Sequence, residues 1–118
     1  MIKILLVDDS PDLAEFMSHL LSMNKFDVKI AVARQDVIVY LDEFRPDIIL
    51  MDVKLNGEDG RELCKELKET QRFNHIRSIL MSANPSYLTD YSTFLADDIL
   101  HKPFKIETLL DTISRNLS

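Results

Sequence analysis

The segment that most constrains the fold is residues 46–60, PDIILMDVKLNGEDG. Ile48, Ile49, Leu50 and Met51 form an apolar run with no polar alternation. Such a run suits a strand covered on both faces, as strands of parallel sheets are. It stops at a carboxylate, Asp52, followed by Asn56-Gly57 and Asp59-Gly60, both turn signals. A helical pattern starts at Arg61. Asp52 is therefore expected where a buried strand meets its loop, at the carboxyl edge of a sheet, where open α/β sheets bind ligands.

The rest of the chain repeats this grammar. Residues 2–7 are an apolar run ending in Asp8-Asp9. Ser10 can cap a helix with Pro11 at its first position. Leu13, Phe16, Met17, Leu20 and Leu21 recur at helical spacing and leave His19 toward the wet face. Residues 27–32 alternate as a short strand. Residues 35–44 read as a helix with Val37, Ile38 and Leu41 inside, ended by Arg45-Pro46. The central strand is expected over 47–52, an amphipathic helix with Leu63, Cys64 and Leu67 inside over 61–69, and a further strand over 76–82. Residues 86–94 are crowded with Ser, Thr, Asp and Tyr, poor helix formers. Residues 98–101 form a last short strand. Lys102-Pro103-Phe104 then turns into a closing helix carrying Ile106, Leu109, Leu110, Ile113 and Leu117. The alternation implies an α/β protein with a five-stranded parallel sheet and helices on both faces.

At 118 residues the chain is expected to be one domain with a proper core. Its net charge of −6 and scattered Lys and Arg argue against direct nucleic-acid binding, which needs a clustered basic face. No apolar run approaches the roughly 18 residues of a membrane span, and residues 1–7 are too short a run for a signal peptide. Cys64 is the sole cysteine, so no disulfide framework exists and a cytoplasmic location is expected. His19, His75 and His101 share no ligand spacing. Tyr87, Tyr91 and Phe94 admit two readings, an exposed aromatic contact surface or partial core packing.

Polar groups stand at four strand ends: Asp8 and Asp9, Asp52, Ser82, and Lys102. With strands in the order 2-1-3-4-5, four of these ends lie side by side at about 4.8 Å spacing. Asp8, Asp9 and Asp52 then converge, and three carboxylates raise one another's proton affinity unless positive charge sits among them. A hard divalent cation with oxygen ligands answers this, Mg²⁺ with carboxylates and retained waters fitting best. Lys102 and Ser82 add an ammonium and a hydroxyl. Around one carboxylate, such a set suits a phosphoryl group, whose charge spreads over its equatorial oxygens.

These residues, the acid pair after Leu6-Val7, the acceptor in Ile49-Leu50-Met51-Asp52, Gly60, Ser82-Ala83 and Lys102-Pro103-Phe104, resemble the receiver domain of two-component response regulators over the whole chain, in the manner of the single-domain chemotaxis and sporulation regulators. The resemblance implies a flavodoxin-like doubly wound (βα)₅ fold spanning residues 1–118. It implies Asp52 as phosphoacceptor, with Asp9, Asp52 and the Lys54 backbone carbonyl binding Mg²⁺ directly and Asp8 through water. Ser82 and Lys102 would hold phosphoryl oxygens. The implied donor is a phosphohistidine on a histidine kinase or phosphotransfer protein, and the output a changed affinity for a downstream protein. No conventional enzyme activity is implied beyond self-catalysed, Mg²⁺-dependent phosphoryl transfer and aspartyl-phosphate hydrolysis. Three positions depart from the family pattern: Ile99 stands where Tyr or Phe is usual, Asn56 where Pro is usual, and Leu95-Ala96 where Gly-Ala is usual.

Two other function classes fit the residue pattern less well. A flavin or nucleotide binder needs a Gly/Ser/Thr-rich phosphate loop after the first strand, whereas Asp8-Asp9-Ser10-Pro11 carries two repelling charges and no Gly. An interaction module that no longer takes phosphate is opposed by the intact acid, hydroxyl and lysine positions, and favoured by Ile99 and the weak helix signal of 86–94.

Overall fold

The computed structural model describes residues 1–117. Its elements are β1 (Lys3–Val7), α1 (Pro11–Met23), β2 (Asp27–Ala31), α2 (Arg34–Glu43), β3 (Ile48–Asp52), β4 (Lys54–Leu55), β5 (Glu58–Asp59), α3 (Gly60–Lys68), β6 (Arg77–Ser82), β7 (Asp98–His101) and α4 (Ile106–Arg115). Five strands form one parallel sheet in the order β2-β1-β3-β6-β7. Counting only sheet strands, this is the expected order 2-1-3-4-5. The short β4 and β5 pair antiparallel as a ribbon beside it.

The uninterrupted apolar runs follow from burial on both sides. Leu5, Val7, Ile49, Met51 and Leu80 face a core closed by α2 and α3 through Val37, Leu41, Leu63, Cys64 and Leu67. The alternate residues Ile4, Leu6, Ile48, Leu50, Ile79 and Met81 face a second core closed by α1 and α4 through Met17, Leu21, Leu109 and Ile113. Period-2 alternation thus sorts each strand between two cores. Cys64 packs as a small hydrophobe, and burial pushes its thiol up to about 11.

Several helix faces differ from expectation. Phe16 is 60% exposed and Leu13 and Leu20 half-buried, while Ala14 joins Met17 and Leu21 in the core. The buried stripe of α1 therefore runs through Ala14, Met17 and Leu21, which join the core beneath β1 and β3. Ile38 is 42% exposed; α2 buries only Val37 and Leu41. Leu117 lies beyond the end of α4 and is exposed. Ser10 occupies the cap position of α1, but its side chain makes no capping bond.

The fourth crossover, where helix formers are scarce, contains two 3₁₀ turns, Pro85–Tyr87 and Tyr91–Phe94, in place of an α-helix. Asn84 caps the first, its side chain accepting from the Ser86 amide at 3.0 Å. Leu88 alone in this stretch is fully buried. The second turn ends at Leu95 in the left-handed conformation, φ 63° and ψ 18°. A side chain there costs about 1–2 kcal/mol, partly offset by the greater chain entropy a glycine loses on folding. Leu95→Gly, at a half-exposed position, is expected to raise the unfolding free energy by roughly 0.5–1 kcal/mol in urea denaturation.

Candidate functional site

Sheet register brings the predicted residues together. Val7 pairs with Met51, so Asp8 and Asp52 leave neighbouring strands at the same level. Asp52 pairs with Met81, placing Ser82 one residue further on the next strand. Ser82 pairs with His101, and the Lys102 amide donates to the Ser82 carbonyl at 2.9 Å. The Lys102–Pro103 peptide is cis. Asp8, Asp9, Asp52, Ser82 and Lys102 thus gather at one carboxyl edge from four non-consecutive segments.

Lys102 is the electrostatic centre. Its Nζ donates to Asp52 Oδ2 at 2.9 Å and to Asp8 Oδ2 at 3.0 Å. Burial alone would lower its proton affinity. Hydrogen bonds and charge from Asp52, then Asp8, more than offset this and hold the ammonium above the ordinary lysine value. The other Asp8 oxygen accepts from the Ser10 amide at 2.9 Å, so both oxygens of this fully buried carboxylate are hydrogen-bonded. Asp8 is thus fully committed to the protein.

Asp9 and Asp52 are less engaged. Asp9 Oδ2 accepts from the Asn56 amide at 2.9 Å, and Asp52 Oδ1 accepts from the Lys54 amide at a long 3.4 Å. One oxygen from each of Asp8, Asp9 and Asp52 can be chosen so that all three lie within 4.8 Å of one another. Ser82 Oγ accepts from the Asn84 amide at 3.0 Å, leaving its hydroxyl proton free to donate. A cavity of about 240 Å³ opens above these groups, bordered by Asp9, Asp52, Lys54, Ser82, Tyr87 and Lys102, among others.

The loop after Asp52 is shaped by three residues. Asn56 and Gly57 have φ of 42° and 82°, the positive values that two-residue hairpin loops favour. This ribbon delivers the Asn56 N–H to Asp9, a donor that the usual Pro could not supply. Gly60 donates its amide to the Val53 carbonyl at 2.6 Å. A Cβ at Gly60 would fall on the Asp52 carbonyl oxygen and lie 3.2 Å from Met51 Cγ, so only glycine fits there.

Two participants escaped the sequence. The Asn56 amide was legible only as a turn signal, because its partner lies 47 residues away. Tyr87 borders the cavity although nothing in its local pattern points there; together with Tyr91 and Phe94 it is half-buried against the α2–α3 core or the turns beside it. None of the three histidines joins the site.

Known proteins resemble this chain in sequence and in fold. The family model described as the response regulator receiver domain matches residues 4–114. The transcriptional regulatory protein TrcR of Mycobacterium tuberculosis is 31% identical over 111 residues, covering 92% of this chain and 42% of that protein. The chain therefore spans less than half of that relative. The signal receiver domain of a response regulator from Bermanella marisrubri has a TM-score of 0.90 at 29% identity, with 98% of each chain covered. The chemotaxis protein CheY4 of Vibrio cholerae has a TM-score of 0.87 at 27% identity, again with 98% of each chain covered. Since the family model takes in nearly all of the sequence and the relatives share its fold from end to end, the chain belongs to the receiver domains of two-component response regulators.

Proposed function

We propose that residues 1–118 act as one receiver domain, in which Asp52 accepts a phosphoryl group from a phosphohistidine on a histidine kinase or phosphotransfer protein. The phosphorylated form would then be read by a downstream protein. The observation that carries this is the position of Lys102, bonded to Asp52 and Asp8 with the third of its ammonium hydrogens still available. Its side chain is 14% exposed, so solvent screens its charge only in part.

The donor set fits a hard divalent cation, since the three clustered groups are all carboxylates. Asp9, Asp52 and the Lys54 carbonyl would hold Mg²⁺ directly. Asp8, both of whose oxygens are taken by Ser10 and Lys102, would act through water. When bound, Mg²⁺ supplies positive charge against the oxygens of the transferring group. The chain's own residues do the rest. An Asp52 carboxylate oxygen bonds to phosphorus as the P–N bond of the phosphohistidine breaks. The imidazole leaves with the bonding pair and takes up a proton. Lys102 and the Ser82 hydroxyl each donate a hydrogen bond to phosphoryl oxygens, and Lys102 gives up part of its hold on Asp52 as that carboxylate loses its charge. The domain is a signalling module that turns over only its own phosphate. Its place of action is proposed to be the cytoplasm; among the described residues no helix is long and apolar enough to cross a membrane.

With Mg²⁺ and a small phosphodonor such as acetyl phosphate, the intact mass is expected to rise by one phosphoryl group. Asp52→Ala should show no rise. Equal labelling of that variant would move the acceptor elsewhere.

A further inference from the structure

The acceptor pocket has one aromatic wall, Tyr87, and cations from two other elements are stacked on it. Tyr87 borders the cavity of about 240 Å³ over Asp52 and also a second cleft of about 470 Å³ beneath the β4–β5 ribbon. Asp9, Lys54 and Tyr87 are common to both, so the ring stands between the acceptor and a solvent-open cleft. Two cations hold it: Arg61 Cζ lies 5.0 Å from its centroid and Lys54 Nζ 5.6 Å. Arg61 also lies 5.0 Å from the Phe94 ring. It is itself anchored to Asp59, with Nε 3.0 Å from Oδ1 and Nη2 2.8 Å from Oδ2. Arg61 therefore bridges the start of α3 to both 3₁₀ turns of a crossover that has no α-helix to stiffen it.

Resting on the assignment of Asp52 as acceptor, we infer that the Tyr87 ring, held by Arg61, is the access-limiting wall of the phosphoryl pocket and sets how long the phosphoryl group stays on Asp52. Loss of the group requires water at phosphorus. The water oxygen bonds to phosphorus, the P–O bond to Asp52 breaks with its electron pair returning to the carboxylate, and the water's protons pass to phosphate and solvent. Excluding that water slows the reaction. Tyr87 lines both spaces, so withdrawing its ring removes the aromatic wall they share. Access governs arrival as well as loss, so small donors should also label faster when the ring is gone. Arg61 is a positioning residue, acting only through Tyr87.

The test loads the full chain with acetyl phosphate and Mg²⁺, removes the donor by rapid desalting, and follows loss of the phosphoryl mass. Tyr87→Ala is expected to label faster and to shorten the lifetime at least as much as Arg61→Ala. Arg61→Ala, which leaves the pocket lining intact, should shorten it by about two- to fivefold, the weight of one exposed cation–π contact. Tyr87→Phe, which keeps the ring, should restore the wild-type lifetime. The double variant should be no faster than Tyr87→Ala alone, because Arg61 does not itself line the acceptor pocket. Lifetimes equal to wild type in both single variants would overturn the inference, as would additive effects in the double variant. Slower labelling of a folded Tyr87→Ala chain would also overturn it. A wild-type chain that never gains the phosphoryl mass would instead refute the acceptor assignment on which it rests.

Discussion

Lys102→Met is expected to lower the unfolding free energy at neutral pH, without metal, by about 3 kcal/mol. The reason is the Asp8 side chain, 1% exposed, whose carboxylate would be left beside Asp52 with no cation. Removing one member of a buried pair costs more than the pair itself contributes, because an uncompensated charge remains. The pH dependence has a definite sign. The folded-state proton affinity of Lys102 is raised above the ordinary lysine value of 10.5, so its stabilisation is fully present below that value. It is lost as pH climbs through the still higher folded value. Wild type should therefore show an alkaline loss of stability that Lys102→Met lacks, and at neutral pH the variant should regain part of its deficit when Mg²⁺ replaces the missing charge. Chemical denaturation across pH, with and without metal, checks all three. A variant as stable as wild type at neutral pH would mean that Asp8 finds another partner.

A second large effect is expected from the cation. At roughly a hundredfold excess over its dissociation constant, Mg²⁺ should stabilise the wild-type fold by about 2.7 kcal/mol. For a domain of this size that corresponds to a rise in Tm of roughly 10 °C. Asp9→Ala should remove most of the response, since Asp9 is the carboxylate least committed to the protein, holding only the Asn56 amide. Lys102 stays on Asp8 and Asp52 in that variant, so its metal-free stability should change little. Thermal scans with and without millimolar MgCl₂ make the comparison. A wild-type Tm indifferent to Mg²⁺ would contradict the pocket as a cation site.

Ile99 bears on how the signal leaves the pocket. It is half-buried on β7 and offers neither a ring nor a hydroxyl, unlike the Tyr or Phe usual at that position. The aromatic group at this pocket is Tyr87, on the crossover without a helix. That crossover has no α-helix and packs on the core through Leu88, Tyr87, Tyr91 and Ala96, with the Arg61 clamp joining its two turns to α3.

What the sequence determined by itself was local and periodic. The run Ile48–Met51 ending in Asp52, the acids after Val7 and the placement of Ser82 and Lys102 at strand ends require only that side chains alternate along a strand and that polar groups mark where it stops. The same logic flagged residues 86–94 as poor helix, and they form no α-helix. Tertiary structure decided whatever depends on distance between segments. Which face of α1 is buried, Ala14 rather than Phe16, is set by the core it packs into, and a helical repeat alone cannot reveal it. That Lys102 serves Asp8 as well as Asp52 depends on β1, β3, β6 and β7 ending at matched register, across 94 residues of chain. The Asn56 amide on Asp9 and the Tyr87 ring at the wall of the acceptor cavity come from loops, whose paths are set by the strands they leave and not by any period of their own.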